Sequence, residues 1–266
     1  MTKLIQKLPF NNRWSIAIKI LPLVALIIFA KYITNSFGLD KIELNNLFTA
    51  LISANIFLFG FLVSGVLSDY KEGEKLPGDL AATLESMADE GWITYQNTKS
   101  EVALQYLTKI SQLTQNILEW FNKIRKTDSI KDEIFELNTF FLKFEPLTQI
   151  NFIFRLKQEQ SQMRKMINRI HTIRETSFLG TGYAIAEIIT TVIVAGMLFI
   201  KIGDSTYEAM IFTGFVSFVL IYMIFLIKDL DNPFSYYAEN NLSENVSLAP
   251  IEKLHTRLKK IVAEIE

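Results

Sequence analysis

Long apolar blocks alternate with polar stretches along this chain, and the apolar blocks have the length of helices that cross a bilayer. A spanning helix needs about 20 mostly apolar residues to cross roughly 30 Å of hydrocarbon. Three blocks meet this requirement with one charged residue among them, Glu187: residues 47–68, 176–200 and 209–227. The pattern predicts a transmembrane helix for each of these blocks.

A fourth block, residues 14–37, carries Lys19 and Lys31 on either side of its apolar centre. Each lysine lies toward one end of the block, where its side chain can extend to the lipid headgroups. The block could instead be a signal peptide, since basic residues precede it, but no small-residue cleavage site follows Ala30. We therefore predict a fourth transmembrane helix.

Basic residues near the membrane predict the orientation, because Lys and Arg are enriched on the cytoplasmic side of spans. The N-terminal stretch has no acid and three basic residues: Lys3, Lys7 and Arg13. The approach to the third span is also basic, whereas the connections 38–46 and 201–208 lean acidic. The pattern predicts a cell-membrane protein with both termini and residues 69–175 in the cytoplasm.

Residues 69–175 show the periodicity of helices, without strand patterns or hairpin turns. The Leu-Pro-Gly-Asp run at 76–79 predicts a turn, with Asp79 as the cap of a helix that ends near residue 95. Apolar residues at steps of three and four predict a second helix from about 100 to 125, and a shorter helix follows Asp128.

A long helix is predicted to begin after Pro146 and to continue into the third span, since no Gly or Pro interrupts it before Gly180. Membrane and cytoplasmic parts would then form one rigid unit. The prediction is an all-α integral membrane protein with four transmembrane helices and a helical cytoplasmic domain. Its parts are spans one and two with the N-terminus, the cytoplasmic domain, spans three and four, and a C-terminal tail: residues 1–68, 69–175, 176–228 and 229–266.

The C-terminal tail contains an amphipathic helix. Its apolar residues recur at steps of three and four: Ile251, Leu254, Leu258, Ile261 and Ile265. Such a helix could pack on its own cytoplasmic domain, or form a coiled-coil-like contact between subunits. Fewer than three heptads leave both alternatives open.

Composition agrees with a membrane protein and excludes several kinds of chemistry. Half of the 266 residues are hydrophobic, and the mean hydropathy is +0.23. The net charge of −1 gives no basic field for nucleic acid, and the chain has no cysteine for a disulfide or thiolate site. His171 and His255 have no neighbours at metal-ligand spacing, and no phosphate loop or nucleophile elbow occurs. Neither an enzyme nor a resident cofactor is predicted.

The second span has features of a pore lining. Phe57 and Phe61 lie four residues apart, on one helix face, and Ser53 lies one turn earlier. Gly60 and Gly65 allow helices to approach closely. The phenylalanines could be ordinary apolar residues facing lipid, or they could form a hydrophobic constriction around an axis that gates by dewetting.

The stretch 57–64, Phe-Leu-Phe-Gly-Phe-Leu-Val-Ser, resembles the neck-forming helix of the bestrophins. On this resemblance Phe57 and Phe61 match two aromatic neck residues. Ser53 falls where the family has a bulky aliphatic residue, so the constriction would be wider or more polar there. The resemblance implies a homopentamer in membrane lipid with an axial pore for small inorganic ions, mostly anions such as chloride, although bacterial members can favour cations.

A second match follows the fourth span, where bestrophins have an Asn-Pro-Phe sequence that stands here at 232–234. Animal members add an acidic run that binds calcium, whereas in this chain Asp229 and Asp231 precede the match. These residues and Asn232 could form a cation site, since calcium prefers oxygen ligands, but they are fewer than such a site needs. The alternative is a solvated turn that caps the helix.

Glu187 is a second candidate for function, because a carboxylate within a membrane is costly unless it faces water, pairs with a cation or binds a proton. Lys19 is a possible partner. Glu187 could form a structural hydrogen bond between helices, or take part in permeation, where its charge would favour cations. Two alternatives to a channel remain: a small transporter coupled through Glu187, and a non-conducting scaffold or sensor.

Overall fold

The computed structural model describes residues 14–203, 205–234, 236 and 245–265. Within these residues the chain forms eight α-helices and one pair of short strands. In chain order they are α1 Ser15–Ser36, β1 Ile42–Glu43, α2 Asn46–Thr98, α3 Glu101–Phe121, α4 Thr127–Phe144, α5 Ile150–Glu175, α6 Gly180–Phe199, β2 Ile200–Lys201, α7 Thr206–Leu230 and α8 Ala249–Ile265. The predicted all-α class is confirmed.

Four helical stretches are long and apolar enough to cross a membrane. They are α1, the first part of α2, α6 and α7, so the prediction of four spans is confirmed. The ends of α1, α6 and α7 lie within a few residues of the predicted ends. The N-terminal basic residues Lys3, Lys7 and Arg13 lie outside the described residues.

The described chain divides into two compact units. We call residues 14–70, 177–203 and 205–232 the membrane unit, and residues 71–176, 233–234, 236 and 245–265 the helical unit. The chain passes between the two near residues 70, 176 and 232. We call the part of the membrane unit near these positions its connecting end, and the part with the two strands its far end.

The membrane unit is held together by apolar packing among its helices. Phe59 and Leu62 of α2 are buried against Ala186 of α6 and Leu220 of α7. Helix α1 packs on another face of α7, where Gly214 lets the side chain of Ile28 approach closely. At the far end β1 pairs with β2 in parallel. Two-residue strands have no period, which is why the sequence pattern did not predict them.

The helical unit contains the rest of α2 and four further helices around one core. Two ion pairs join α2 to α5: Arg155 Nη1 lies 2.5 Å from Glu90 Oε1, and Arg169 donates to both oxygens of Glu72. The hydrogen bond from Arg169 holds the pKa of the Glu72 carboxyl below its usual range.

The C-terminal helix packs on its own chain. Ile251, Leu254 and Leu258 of α8 are buried in the core of the helical unit. This agrees with the first of the two alternatives for the tail, packing on its own domain. Ile261 is only partly buried.

The predicted turn at residues 76–79 is wrong, because α2 runs without interruption from Asn46 to Thr98 with Pro77 inside it. Proline in a helix interior removes one hydrogen bond and costs about 3 kcal/mol. Leu76, Leu80 and Leu84 follow one another at helix spacing, and all are buried in the core. Burial of each leucine contributes on the order of 2 kcal/mol, which outweighs the local cost of the proline.

The predicted continuous helix from Pro146 into the third span is also wrong. Helix α5 ends at Glu175, Thr176 has extended backbone angles, and α6 begins at Gly180. Thr and Ser at 176 and 177 are modest helix formers, and the N–H of Phe178 bonds to a side chain on another helix. Helix α2 is therefore continuous over Asn46–Thr98, whereas α5 and α6 are separate helices.

Candidate pore-lining face and polar sites of the membrane unit

Helix α2 has one buried and one uncovered face within the membrane unit. Phe59 and Leu62 are buried, whereas the Phe57 side chain is 79% exposed and the Phe61 side chain 54%. Ser53 is also exposed, and its hydroxyl donates to the carbonyl of Thr49 at 2.9 Å on the same helix. The three predicted pore residues thus share a face of α2 that the rest of the described chain leaves largely uncovered.

The connecting end of this face is closed by Phe178, which precedes α6. Its ring packs on Gly65 of α2, and the ring centroids of Phe61 and Phe178 are 6.4 Å apart. The backbone N–H of Phe178 donates to Asp231 Oδ1 at 2.9 Å, at the C-terminal end of α7. Helix α2, the segment before α6 and the C-terminal end of α7 therefore meet at Phe178.

The three residues of the predicted cation site have separate roles. Asp231 accepts the hydrogen bond from Phe178, and Asp229 lies close enough to Lys19 of α1 for electrostatic attraction. The side-chain oxygen of Asn232 is buried and has no hydrogen-bond partner. In the described part of the chain, no three His, Cys, Asp or Glu side chains are grouped as they would be around a metal ion. The cation site stays a prediction.

Glu187 pairs with Lys228 and not with Lys19, which the sequence offered as a possible partner. Glu187 Oε1 lies 2.5 Å from Lys228 Nζ, and both side chains are about half exposed. Lys228 lies near the C-terminal end of α7, which runs antiparallel to α6, so it reaches the same level as Glu187. A salt bridge offsets the charge that would otherwise make this carboxylate costly in a membrane.

Lys31 does not extend to the lipid headgroups as predicted, because its side chain is 0% exposed. Its ammonium group donates to the carbonyls of Ile200 at 2.7 Å and Leu198 at 3.3 Å, at the C-terminal end of α6. Asp40 Oδ2 lies 4.0 Å away. The Leu198 carbonyl also accepts from the Thr34 hydroxyl at 2.8 Å. The C-terminal carbonyls of α6 and the negative end of its helix dipole explain why a cation is stable there. Lys31 therefore joins α1 to α6 at the far end.

The sequence pattern also missed a buried hydrogen bond between spans. Asn55 of α2 donates to the hydroxyl of Thr190 of α6 at 3.0 Å, and both side chains are buried. An amide in an otherwise apolar span is a detectable signal, since polar groups in membrane helices usually bond to a neighbouring helix. Its partner could not be identified without the fold.

The last span ends in a turn capped by Asp231, as the second alternative predicts, but the Pro-Phe that follows is buried instead of solvated. Phe234 is fully buried in the helical unit, with its ring centroid 5.7 Å from that of Phe121 and its edge against Gly73 of α2. The carbonyl of Pro233 accepts a hydrogen bond from the N–H of Val246 at 3.0 Å. This sequence therefore anchors the chain to the helical unit directly after the last span.

Solved structures with the same arrangement of helices identify the fold. A crystal structure of a bacterial bestrophin homologue from Klebsiella pneumoniae matches with a TM-score of 0.74, covering 93% of this chain and 98% of that chain at 12% identity. Two single-residue variants of the Klebsiella pneumoniae homologue have TM-scores of 0.73 and 0.71, at 13% and 14% identity. They cover 94% and 92% of this chain, and 98% and 96% of their own. This chain has the bestrophin fold.

The predicted resemblance to bestrophins is thus confirmed for the fold, and the protein is an integral membrane protein with four spans. No protein-family sequence model and no curated protein matches the chain. In this bestrophin fold, the stretch that resembles the neck helix lies on α2, with Phe57 and Phe61 on its uncovered face.

Proposed function

We propose that the protein is one subunit of a homo-oligomeric ion channel whose pore is lined by the uncovered face of α2. The observation that carries this proposal is that α2 is buried on one face and exposed on the other. Phe59 and Leu62 pack inward, whereas Phe57 and Phe61, the residues that resemble the bestrophin neck, are left for contacts outside the chain. Rings at the same level from several subunits would form a hydrophobic constriction on a common axis.

Apolar surface on the helical unit supports self-association. Phe135 and Leu142 are seven residues apart on α4, and Ile150 and Phe154 are four apart on α5. All four are more than half exposed. Large apolar side chains repeated at helix spacing on an aqueous domain are typical of interaction surfaces. We propose that they lie between subunits of a pentamer, the assembly that the resemblance implies, with the helical unit in the cytoplasm of a cell-membrane protein.

Gating would follow from the width of the constriction. A ring of phenylalanines excludes water when the helices are close, and a small outward displacement of α2 lets water and ions pass. Ser53 lies two turns before Phe61 on the same face, and its small polar side chain leaves the pore wider and easier to wet at that level. Phe57 and Phe61 are then the gate.

We propose anions such as chloride as the permeating ions. The apolar part of α2, residues 47–68, has no charged side chain, so nothing on the lining itself repels an anion. Glu187 is paired with Lys228 and adds no net charge to the membrane unit. The same pairing argues against a transporter coupled through a free Glu187 carboxyl.

Single-channel recording of the purified protein in planar bilayers tests the proposal. Wild type is compared with Phe57→Ala and Phe61→Ala, and with Phe215→Ala, a control phenylalanine on α7 that is 66% exposed. We expect the two α2 variants to raise open probability roughly severalfold, because a shorter side chain wets more readily. The control should behave as wild type. A wild-type protein that never conducts under any ion or voltage condition would exclude the channel and favour a scaffold.

A further inference from the structure

Three fully buried side chains inside the membrane unit have polar atoms without a hydrogen-bond partner. They are Asn55, Thr213 and Ser217, each 0% exposed. The unpaired atoms are the amide oxygen of Asn55 and the hydroxyl oxygens of Thr213 and Ser217. In a lipid bilayer neither the hydrocarbon nor bulk water can compensate an unpaired polar group, so each one opposes folding unless something binds it.

Two other hydroxyl groups in the same unit bond to their own helix. The hydroxyl of Thr191 donates to the carbonyl of Glu187 at 2.8 Å, one turn earlier, and Ser53 does the same on α2. Thr213 and Ser217 also have a carbonyl one turn earlier, but neither hydroxyl bonds to it. Both hydroxyl groups therefore remain available to a ligand.

The three residues lie at the same level of the membrane unit. Helices α2 and α7 both begin at the far end. With a rise of about 1.5 Å per residue, Asn55 lies roughly 14 Å along α2, while Thr213 and Ser217 lie roughly 10 and 16 Å along α7. This level is near the middle of a hydrocarbon core about 30 Å thick.

Helix periodicity places Thr213 on the face of α7 that packs with α2 and α6. Thr213, Leu220 and Ile227 are spaced seven residues apart and share one face of α7. Leu220 and Ile227 pack in the core that contains Phe59 of α2 and Ala186 of α6. Asn55 is one turn from Phe59 on the buried face of α2, so Asn55 and Thr213 lie on faces that pack in the same core. Ser217 is one turn from Thr213 along α7, on the side of Gly214 and Ile221, which pack against α1.

We propose that Asn55, Thr213 and Ser217 enclose a buried water site at mid-membrane that links α2 to α7. A buried water makes about three hydrogen bonds. The amide oxygen can accept from it, and each hydroxyl can donate to it or accept from it. All three ligands are neutral, which suits water, whereas a cation at this depth would need a carboxylate to offset its charge. The link stabilises the packing of α2 whether or not α2 lines a pore.

Thermal unfolding of the detergent-purified protein gives opposite signs for a filled and an empty site. With water bound, Thr213→Val keeps the shape of the side chain but removes a partner of the water, so the unfolding temperature falls by about 2 to 4 °C. With nothing bound, the same change removes an unpaired hydroxyl and raises that temperature. Thr114→Val and Thr191→Val are the controls, because both hydroxyls bond to their own helix, one buried and one exposed; we expect smaller changes. An unchanged or raised value for Thr213→Val would overturn the proposal.

A double-mutant cycle tests whether Asn55 and Thr213 share the site. Asn55→Leu and Thr213→Val each remove a partner of the same water, so the double variant should unfold well above the temperature that the summed single shifts predict. Additive shifts would mean separate sites and overturn the proposal.

Two measurements test the identity of the ligand: thermal unfolding with different cations, and the density at the site in a structure. We expect the same unfolding temperature in sodium and in N-methylglucamine chloride, and one ordered water at this position in a structure near 2 Å resolution. Stabilisation by sodium that Asn55→Leu abolishes would indicate a cation, and empty density would indicate no ligand. Either result contradicts the water site.

Discussion

The ring of Phe178 packs on the main chain of Gly65 so closely that a methyl group at residue 65 would overlap it. The contact joins α2 to the segment between α5 and α6, and Asp231 fixes that segment by accepting its N–H. A displacement of α2 must therefore move Phe178 or break this contact. If α2 lines a pore, this contact fixes the position of the gate-forming helix at the connecting end.

Gly65→Ala should destabilise the protein by about 1–3 kcal/mol, because the added methyl group overpacks the site. The measurement is thermal unfolding in detergent. Gly78→Ala is the control, since Gly78 lies on the same helix with nothing within 4 Å of an added methyl. Adding Phe178→Ala to Gly65→Ala should recover part of the loss. Wild-type stability of Gly65→Ala would show that the ring does not lie on this glycine.

Asp231→Ala should cost about 1–3 kcal/mol, because the Phe178 N–H loses a charged acceptor. Asp231→Asn should lie near wild type, since the amide oxygen can accept the same bond. Unfolding in calcium and in chelator separates this role from that of a metal ligand. Stabilisation by calcium in wild type, lost equally in both variants, would instead support the predicted cation site.

Lys31→Met should destabilise the protein by about 2 kcal/mol or more, since it removes the side-chain donor to the Ile200 carbonyl, one of two side-chain donors to the Leu198 carbonyl, and the cation near Asp40. Lys41→Met is the control at an exposed lysine of the same end. Equal unfolding temperatures for the two variants would mean that Lys31 extends to the membrane surface.

Glu187→Gln should leave the reversal potential under a chloride gradient unchanged, because the paired carboxylate is outside the proposed ion path. Lys228→Gln is the matched change in its partner. A shift of the reversal potential toward anion selectivity in Glu187→Gln alone would place this carboxylate beside the permeating ions.

The four spans could be predicted because bilayer thickness sets the length of an apolar run, whatever the rest of the chain does. The helix boundaries near Pro77 and Gly180 could not be predicted. The turn predicted at Pro77 was overridden by burial of the leucines around it, and the break before Gly180 depends on a hydrogen bond to Asp231, 53 residues away.

The same distinction between local spacing and contacts between distant residues applies to the side-chain positions in the membrane unit. The four-residue spacing of Phe57 and Phe61 predicted that they share a face, because helix geometry is local. Burial of Lys31 and the pairing of Glu187 with Lys228 depend on which helices become neighbours. The sequence of one span does not show which hydrogen-bonding or charged groups a neighbouring span will place beside it.

Charged thiol reagents applied to single-cysteine channels test most directly whether this face of α2 lines a pore. The chain has no cysteine, so wild type provides an unreactive background. Phe57→Cys is compared with Leu26→Cys, an exposed position on α1. A charged methanethiosulfonate added to open channels should change the conductance of Phe57→Cys and leave Leu26→Cys and wild type unaltered. If Phe57→Cys conducts normally in the presence of the reagent, α2 does not line the pore.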